Sequence, residues 1–215
     1  MEQRLERKYI INKNISSTDF VNLFNGYFKE TYKERIVNSI YFDNPEYHNF
    51  FDNVEGNQNR FKVRIRWYGD DIKNSKLEIK VKEGLFGKKI ITEIQNISTT
   101  SDFYQIIKNP KNYPDLDTSY IPYVINLIPT SYNNYLRRYF ESFDGKIRVT
   151  VDSNLKFKKL YNFKLPKDKE LLDFDYSIIE VKYKSSDEYL VSKIMRNSPL
   201  ILRKFSKYTA GVLAN

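Results

Sequence analysis

Arg64 and Arg66 stand two residues apart, as do Lys80 and Lys82. On an extended chain such residues leave the same face about 7 Å apart. Like charges on one sheet face repel across neighbouring strands. A fold that concentrates them should have something anionic to place between them. The same spacing recurs in mixed form at Glu6 and Lys8, at Arg148, Thr150 and Asp152, and at Glu180 and Lys182. Cations with interspersed carboxylates suit an anionic partner such as a nucleotide, a polyphosphate, a nucleic acid or an acidic membrane surface. The alternative reading is the solvated outer face of an ordinary sheet.

The elements that must carry these residues are strands, because the dominant period is two. In 5–11, Glu6 and Lys8 alternate with Leu5, Tyr9 and Ile11. In 61–68, Lys62, Arg64 and Arg66 alternate with Val63, Ile65 and Trp67. In 77–82, Glu78, Lys80 and Lys82 alternate with Leu77, Ile79 and Val81. In 147–152, Arg148, Thr150 and Asp152 oppose Ile147, Val149 and Val151, and in 179–183 Glu180 and Lys182 oppose Ile179 and Val181. A short aromatic run at 38–43 ends in the turn Asp43-Asn44-Pro45. Ser16 with Asp19 reads as a capping box that opens a helix to about Lys29. Further helices are expected from Thr99–Asp102 to Lys108, over Tyr120–Leu127, and from Ser186-Asp187 to Asn197 before Pro199. No linker or internal repeat interrupts residues 1–215, so one α+β domain is expected. If its sheet closes into a barrel, the charged faces line the lumen and the apolar faces lie outside under the helices.

Composition narrows the chemistry. Of 215 residues, 40% are hydrophobic and 29% charged, which is a globular mixture. The absence of cysteine removes disulfides, thiolate metal sites and Cys nucleophiles, and a lone histidine, His48, removes His-rich metal sites. Lys and Arg total 36 against 27 Asp and Glu, a net charge of +9 that again favours an anionic partner. No apolar run approaches the roughly 20 residues needed to span a bilayer. No apolar core follows Met1, so no signal peptide is expected and the default location is cytoplasmic. Gly84-Leu85-Phe86-Gly87-Lys88-Lys89 lacks the spacing of a phosphate loop and reads as a turn between strands. His48 reads as a surface or packing residue, and the 33 Tyr and Phe residues as core.

Taken in order, several segments resemble the VTC domain, the catalytic domain of the vacuolar transporter chaperone complex. That domain belongs to the triphosphate tunnel metalloenzymes, a CYTH-like group. The landmarks run from Arg4-Leu5-Glu6-Arg7-Lys8-Tyr9 through Ser39-Ile40-Tyr41-Phe42-Asp43, Lys62–Gly69, Leu77–Gly84, Tyr135–Phe140, Ile147–Asp152 and Ile179–Tyr183 to Arg203–Tyr208. The resemblance implies an antiparallel eight-stranded β-barrel tunnel with helices packed outside. It implies a polyphosphate polymerase that moves the terminal phosphate of ATP onto a growing chain, with Mn²⁺ or Mg²⁺. Carried over by motif, the phosphate-binding residues are Lys8, Arg64, Arg66, Lys80, Arg137, Lys204, Ser206 and Lys207. Lys82 and Arg148 share the same faces. Arg64, Arg66, Lys80, Arg137 and Glu180 are the catalytic candidates. Glu180 is the metal ligand, with Glu6 and Asp152 as weaker candidates, and Asp152 is alternatively a carboxylate that orients Arg148. The family spacing Tyr-x-Arg selects Arg137 over Arg138, which then points the other way.

The residue types suit that chemistry. Phosphoryl transfer asks mainly for positioning and charge neutralisation. Arg forks two phosphate oxygens and Lys supplies a point charge, while a hard carboxylate suits Mg²⁺ or Mn²⁺. The triphosphatase branch opens with Glu-x-Glu-x-Lys, whereas this chain has Arg4, Glu6 and Lys8. Lys182 likewise follows Glu180 where a second Glu would stand. Fewer metal carboxylates favour the polymerase pattern over a hydrolase of tripolyphosphate or nucleoside triphosphate. A non-catalytic polyanion-binding module and a nucleic-acid binder are the remaining readings, the last resting on charge and aromatics alone. The expected partners are ATP and inorganic polyphosphate, with no nucleic acid. Neither an inositol-phosphate-sensing SPX domain nor a membrane segment is expected in a chain of this length, so any membrane role would belong to a partner.

Overall fold

The computed structural model describes residues 4–12, 14–84, 86–196 and 198–214. Among these, ten strands are present: β1 (Arg4–Ile11), β2 (Phe28–Asp43), β3 (Arg60–Tyr68), β4 (Lys76–Glu83), β5 (Phe86–Glu93), β6 (Ile128–Ser142), β7 (Arg148–Lys159), β8 (Leu172–Phe174), β9 (Ser177–Lys184) and β10 (Ile201–Leu202). Five α-helices accompany them: α1 (Ser17–Leu23), α2 (His48–Glu55), α3 (Phe103–Lys108), α4 (Glu188–Arg196) and α5 (Lys207–Leu213). The α+β class expected from the alternation is therefore present. The pairing order is β10-β1-β9-β7-β6-β2-β3-β4-β5, with β8 on β7. Among the described residues this is a path with two ends, not the closed ring of eight strands expected from the resemblance. Its end strands explain the difference. β10 has two residues, both exposed, and β5 carries exposed Lys88 and Lys89, which blunt an edge against further pairing.

The contacts divide the chain into two compact units. The first comprises residues 1–36, 135–155 and 173–205. Here β9 pairs antiparallel with both β1 and β7. The apolar residues of the alternation, Tyr9, Ile11, Val149, Val151, Ile179 and Val181, are buried together with Phe20 of α1 and Val191 and Met195 of α4. Helix α1 has the expected capping box: Ser16 Oγ accepts from Asp19 N, and the Asp19 carboxylate accepts from Ser16 N. It ends at Leu23, well before Lys29, because Asn25 and Gly26 take the left-handed conformation at φ 50° and 72°. Such residues close a helix, and here they turn the chain into β2.

The second unit comprises residues 37–134, 156–172 and 206–215. Strands β2, β3, β4 and β5 pair antiparallel in succession. One face buries Ile40, Phe42, Val63, Ile65, Trp67, Leu77 and Ile79 against Phe103, Ile106 and Ile107 of α3, with Trp67 stacked on Phe103 at 6.3 Å. Alternation sends Tyr41 to the other face, where it joins Tyr208 and Val212 of α5 and is flanked by Tyr47 and by Phe50 of α2. Helix α5 comes so close to β6 that a Cβ on Gly211 would lie 2.9 Å from Ser131 Cβ. The expected helix over Tyr120–Leu127 is instead a 3₁₀ segment, Thr118–Tyr123, since Pro122 lacks the N–H that an α-helix needs. The expected end of the last long helix, Asn197, lies outside the described residues.

Candidate functional site

In the second unit the register sets Lys62 of β3 opposite Lys80 of β4, and Lys80 opposite Lys89 of β5. Three lysines thus occupy neighbouring positions across adjacent strands. One step along, Arg64 lies opposite Glu78. The guanidinium donates from Nε to Glu78 Oε2 at 2.8 Å and from Nη1 to the Tyr41 hydroxyl oxygen at 2.9 Å. Glu78 Oε1 takes Lys89 Nζ at 3.0 Å. Burial pushes the Glu78 carboxyl up, but Arg64, Arg66 and Lys89 outweigh it and hold it at about 2. Arg66 is buried and donates to Ser39 Oγ at 3.3 Å. Lys80 is exposed and Lys82 half-buried, and neither makes an ion pair among the described residues. Ser206 caps α5, and its Oγ accepts from Thr209 N at 3.3 Å and from Lys62 Nζ at 3.0 Å. The Ser206 hydroxyl hydrogen has no acceptor among the described residues and is available to a ligand. Lys207 is the first residue of that helix.

In the first unit Lys8 lies opposite Glu180, which lies opposite Thr150, and Glu6 lies opposite Lys182, which lies opposite Arg148. The two lysines share the two glutamates. Lys182 Nζ is 2.6 Å from Glu180 Oε1 and 3.7 Å from Glu6 Oε2. Lys8 Nζ is 3.3 Å from Glu6 Oε1 and 3.9 Å from Glu180 Oε2, and it also donates to the Phe205 carbonyl at 3.2 Å. Burial raises the Glu180 carboxyl, yet Lys8, Lys182 and Arg137 hold it at about 2. Arg137 forks the fully buried Asp152, Nε to Oδ1 at 2.6 Å and Nη2 to Oδ2 at 2.7 Å. Arg138 points the other way, to Glu34, Ser153 and the Ile15 carbonyl. Arg148 and Lys204 are exposed without an ion pair among the described residues. Lys204 falls in the first unit and Ser206 and Lys207 in the second.

A divalent cation fits this chain at Glu180 better than at Asp152. The Glu180 carboxyl is held low by its cationic neighbours, and Thr150 opposite it has a buried hydroxyl oxygen with no hydrogen-bond partner among the described residues. Glu6 shares its lysines. Asp152, by contrast, spends both oxygens on Arg137, so it orients that arginine and not Arg148. No group of three or more carboxylate or histidine side chains converges among the described residues. Glu180 would therefore hold a metal chiefly with ligand oxygens, the manner in which Mg²⁺ uses one or two carboxylates plus phosphates.

Sequence reasoning did not single out Tyr41, Lys62, Glu78 and Lys89 as functional. The period-two alternation carried the signal for Lys62 and Glu78, which share faces with residues that were singled out. Lys89 was hidden because 84–89 reads as a turn. The turn proper is at Gly84, φ 58°, and β5 begins at Phe86, while Leu85 lies outside the described residues. His48 opens α2 at the surface, its Nδ1 2.7 Å from Asn44 Nδ2.

The model of the VTC domain matches residues 3–214, and the chain belongs to that family. No curated protein gives a match. Among solved structures, one described as a "putative adenylate cyclase" from Bacillus halodurans is similar over 99% of this chain and 98% of its own, at 12% identity and TM-score 0.50. A protein from Pyrococcus horikoshii OT3 is similar over 96% and 97%, at 10% identity and TM-score 0.49. At that identity the Bacillus structure speaks for the fold alone. No helix among the described residues is long and apolar enough to cross a membrane.

Proposed function

We propose that this chain is a metal-dependent polyphosphate polymerase that transfers the terminal phosphate of ATP to the end of an inorganic polyphosphate chain. The observation that carries the proposal is the row Lys62, Lys80 and Lys89 beside Arg64 and Arg66, in a chain of the VTC family. Such a row is unfavourable by itself, and a phosphate chain is the kind of ligand that relieves it. A cytoplasmic location is part of the same proposal.

Each group then has a task. Arg64, Arg66, Lys80 and Lys82 bind phosphate oxygens, with Ser206 donating and Lys207 nearby. Lys8, Arg137, Arg148 and Lys204 supply the corresponding charge in the first unit. Glu180, with Glu6, would hold Mn²⁺ or Mg²⁺, and the ion would add neutralisation of phosphate charge when bound. The attacking group is a terminal phosphate oxygen, anionic near neutral pH, so no strong general base is required.

A hydrolase of tripolyphosphate has one observation in its favour, since Glu6 and Glu180 are two carboxylates joined through common lysines. The product separates the readings. The protein is incubated with ATP, Mn²⁺ and a short polyphosphate primer, and the products are run on a gel stained for polyphosphate. A metal-dependent ladder lost in Glu180→Gln and in Arg64→Ala is expected. Orthophosphate from tripolyphosphate without a ladder would overturn the polymerase reading.

A further inference from the structure

Tyr41 is a buried phenol in cationic surroundings. Its hydroxyl oxygen accepts from Arg64 Nη1 at 2.9 Å, and its own hydrogen has no acceptor among the described residues. The Arg64 guanidinium carbon is also 5.7 Å from the ring centroid, and Tyr208 of α5 stacks on the ring at 5.3 Å. An oxygen whose partner is a cation, and whose hydrogen points to no acceptor, is poised to carry negative charge.

We propose that Tyr41 stands in for the anion at Arg64: at slightly alkaline pH with no ligand bound its phenol oxygen is negatively charged, and binding of a phosphate chain at Arg64 and Arg66 returns a proton to it from solvent. The inference rests on the anion-binding part of the function proposed above and goes beyond it by coupling binding to protonation.

The groups around the phenol support this. From β3, Lys62, Arg64 and Arg66 act on it. Burial pushes the phenol up, but these three cations and the hydrogen bond from Arg64 outweigh it and bring it to about 7. From β4, Glu78 lies beyond Arg64 and is itself shared with Lys89 of β5. On α5, Tyr208 gives its hydroxyl hydrogen to Asp43, and burial with that carboxylate pushes the Tyr208 phenol far up, so it stays protonated. Asp43 is further held by the backbone N–H groups of Asn49 and Phe50 at the start of α2. Tyr47, flanking that helix, packs against the same cluster. No carboxylate contacts the Tyr41 hydroxyl among the described residues. A phosphate chain on Arg64 would compete for the guanidinium and place negative charge beside the phenolate. Both effects favour the neutral phenol.

The test follows the near-ultraviolet phenolate band of the full chain at slightly alkaline pH while inorganic tripolyphosphate is added. Proton uptake is measured separately with sulfate, which does not itself titrate in that range. Wild type should lose about one phenolate equivalent on binding and take up about one proton. Tyr41→Phe, which keeps the ring stacked on Tyr208, should start with about one equivalent less and show neither change. A wild-type band absent before addition, or unchanged while anion binds, would overturn the inference, and this reading needs no variant to fold. Bleaching without any polyphosphate synthesis would uphold the coupling and contradict the polymerase. Synthesis with an unchanged band would do the reverse.

Discussion

Arg137 and Asp152 show how a single pair of residues is committed by its surroundings. The carboxylate is fully buried and the guanidinium forks it through two short hydrogen bonds. Removing one partner of such a pair leaves an uncompensated buried charge, which costs about 3–5 kcal/mol. Asp152→Leu should therefore lower the unfolding free energy by about that much in urea titrations, and an unshifted midpoint would contradict the assignment. Glu78 and Glu180 make the acid side of stability predictable in the same way. Both are depressed to about 2, below the ordinary carboxylate value, so their contribution is complete above the unfolded-state range. It is lost as the pH falls from about 5 through about 2, on the order of 3 kcal/mol for each group. Urea midpoints measured through that range should fall steeply, and the fall should be shallower in Glu180→Gln. Arg137 came from the Tyr-x-Arg motif, whereas the alternation that places Glu78, Asp152 and Glu180 on the polar faces of their strands was legible. Their partners were not, because Asp152 reaches Arg137 across two different strands, a choice that alternation within one strand does not contain.

At the scale of elements, strands were easier to read than their neighbours. The alternating segments at 61–68 and 77–82 became β3 and β4 with little change, because one buried face fixes a strand's period. Helix α1 was legible at its start, where Ser16 and Asp19 cap each other, and not at its end, where Asn25 and Gly26 reverse the chain. Helices α2 and α5 left little trace, since their seven or eight residues are too few for a clear helical period. Yet α5 brings Ser206 and Tyr208 to the cationic face of the second unit. Its close approach depends on Gly211. Gly211→Ala should cost about 1–3 kcal/mol by forcing the helix away from Ser131. Because α5 carries the Ser206 cap, the same variant should also weaken anion binding, as read by the anion's effect on the melting temperature. The lysine row makes an opposite prediction. Lys80→Met should leave the ligand-free protein as stable or up to about 1 kcal/mol more stable. It should also shrink the stabilisation that tripolyphosphate confers. Equal stabilisation in both proteins would contradict a role for the row.

For the molecule as a whole, the net charge of +9 and the VTC match point the same way. The charge was legible from composition and the α+β class from periodicity. The number of strands was not, because β8 and β10 have three and two residues, too short to show a period. An anion that binds only the folded chain must stabilise it, by about 2.7 kcal/mol at a hundredfold excess over its dissociation constant. Tripolyphosphate should therefore raise the melting temperature, and added salt should reduce the effect because the contacts are ionic. The most direct measurement follows the label of ATP carrying a radioactive terminal phosphate, in the presence of Mn²⁺ and a polyphosphate primer. Label in the chain, with one ADP released for each phosphate added, is the expected result. Label confined to orthophosphate, or retained in ATP while polyphosphate binds, would contradict a polymerase.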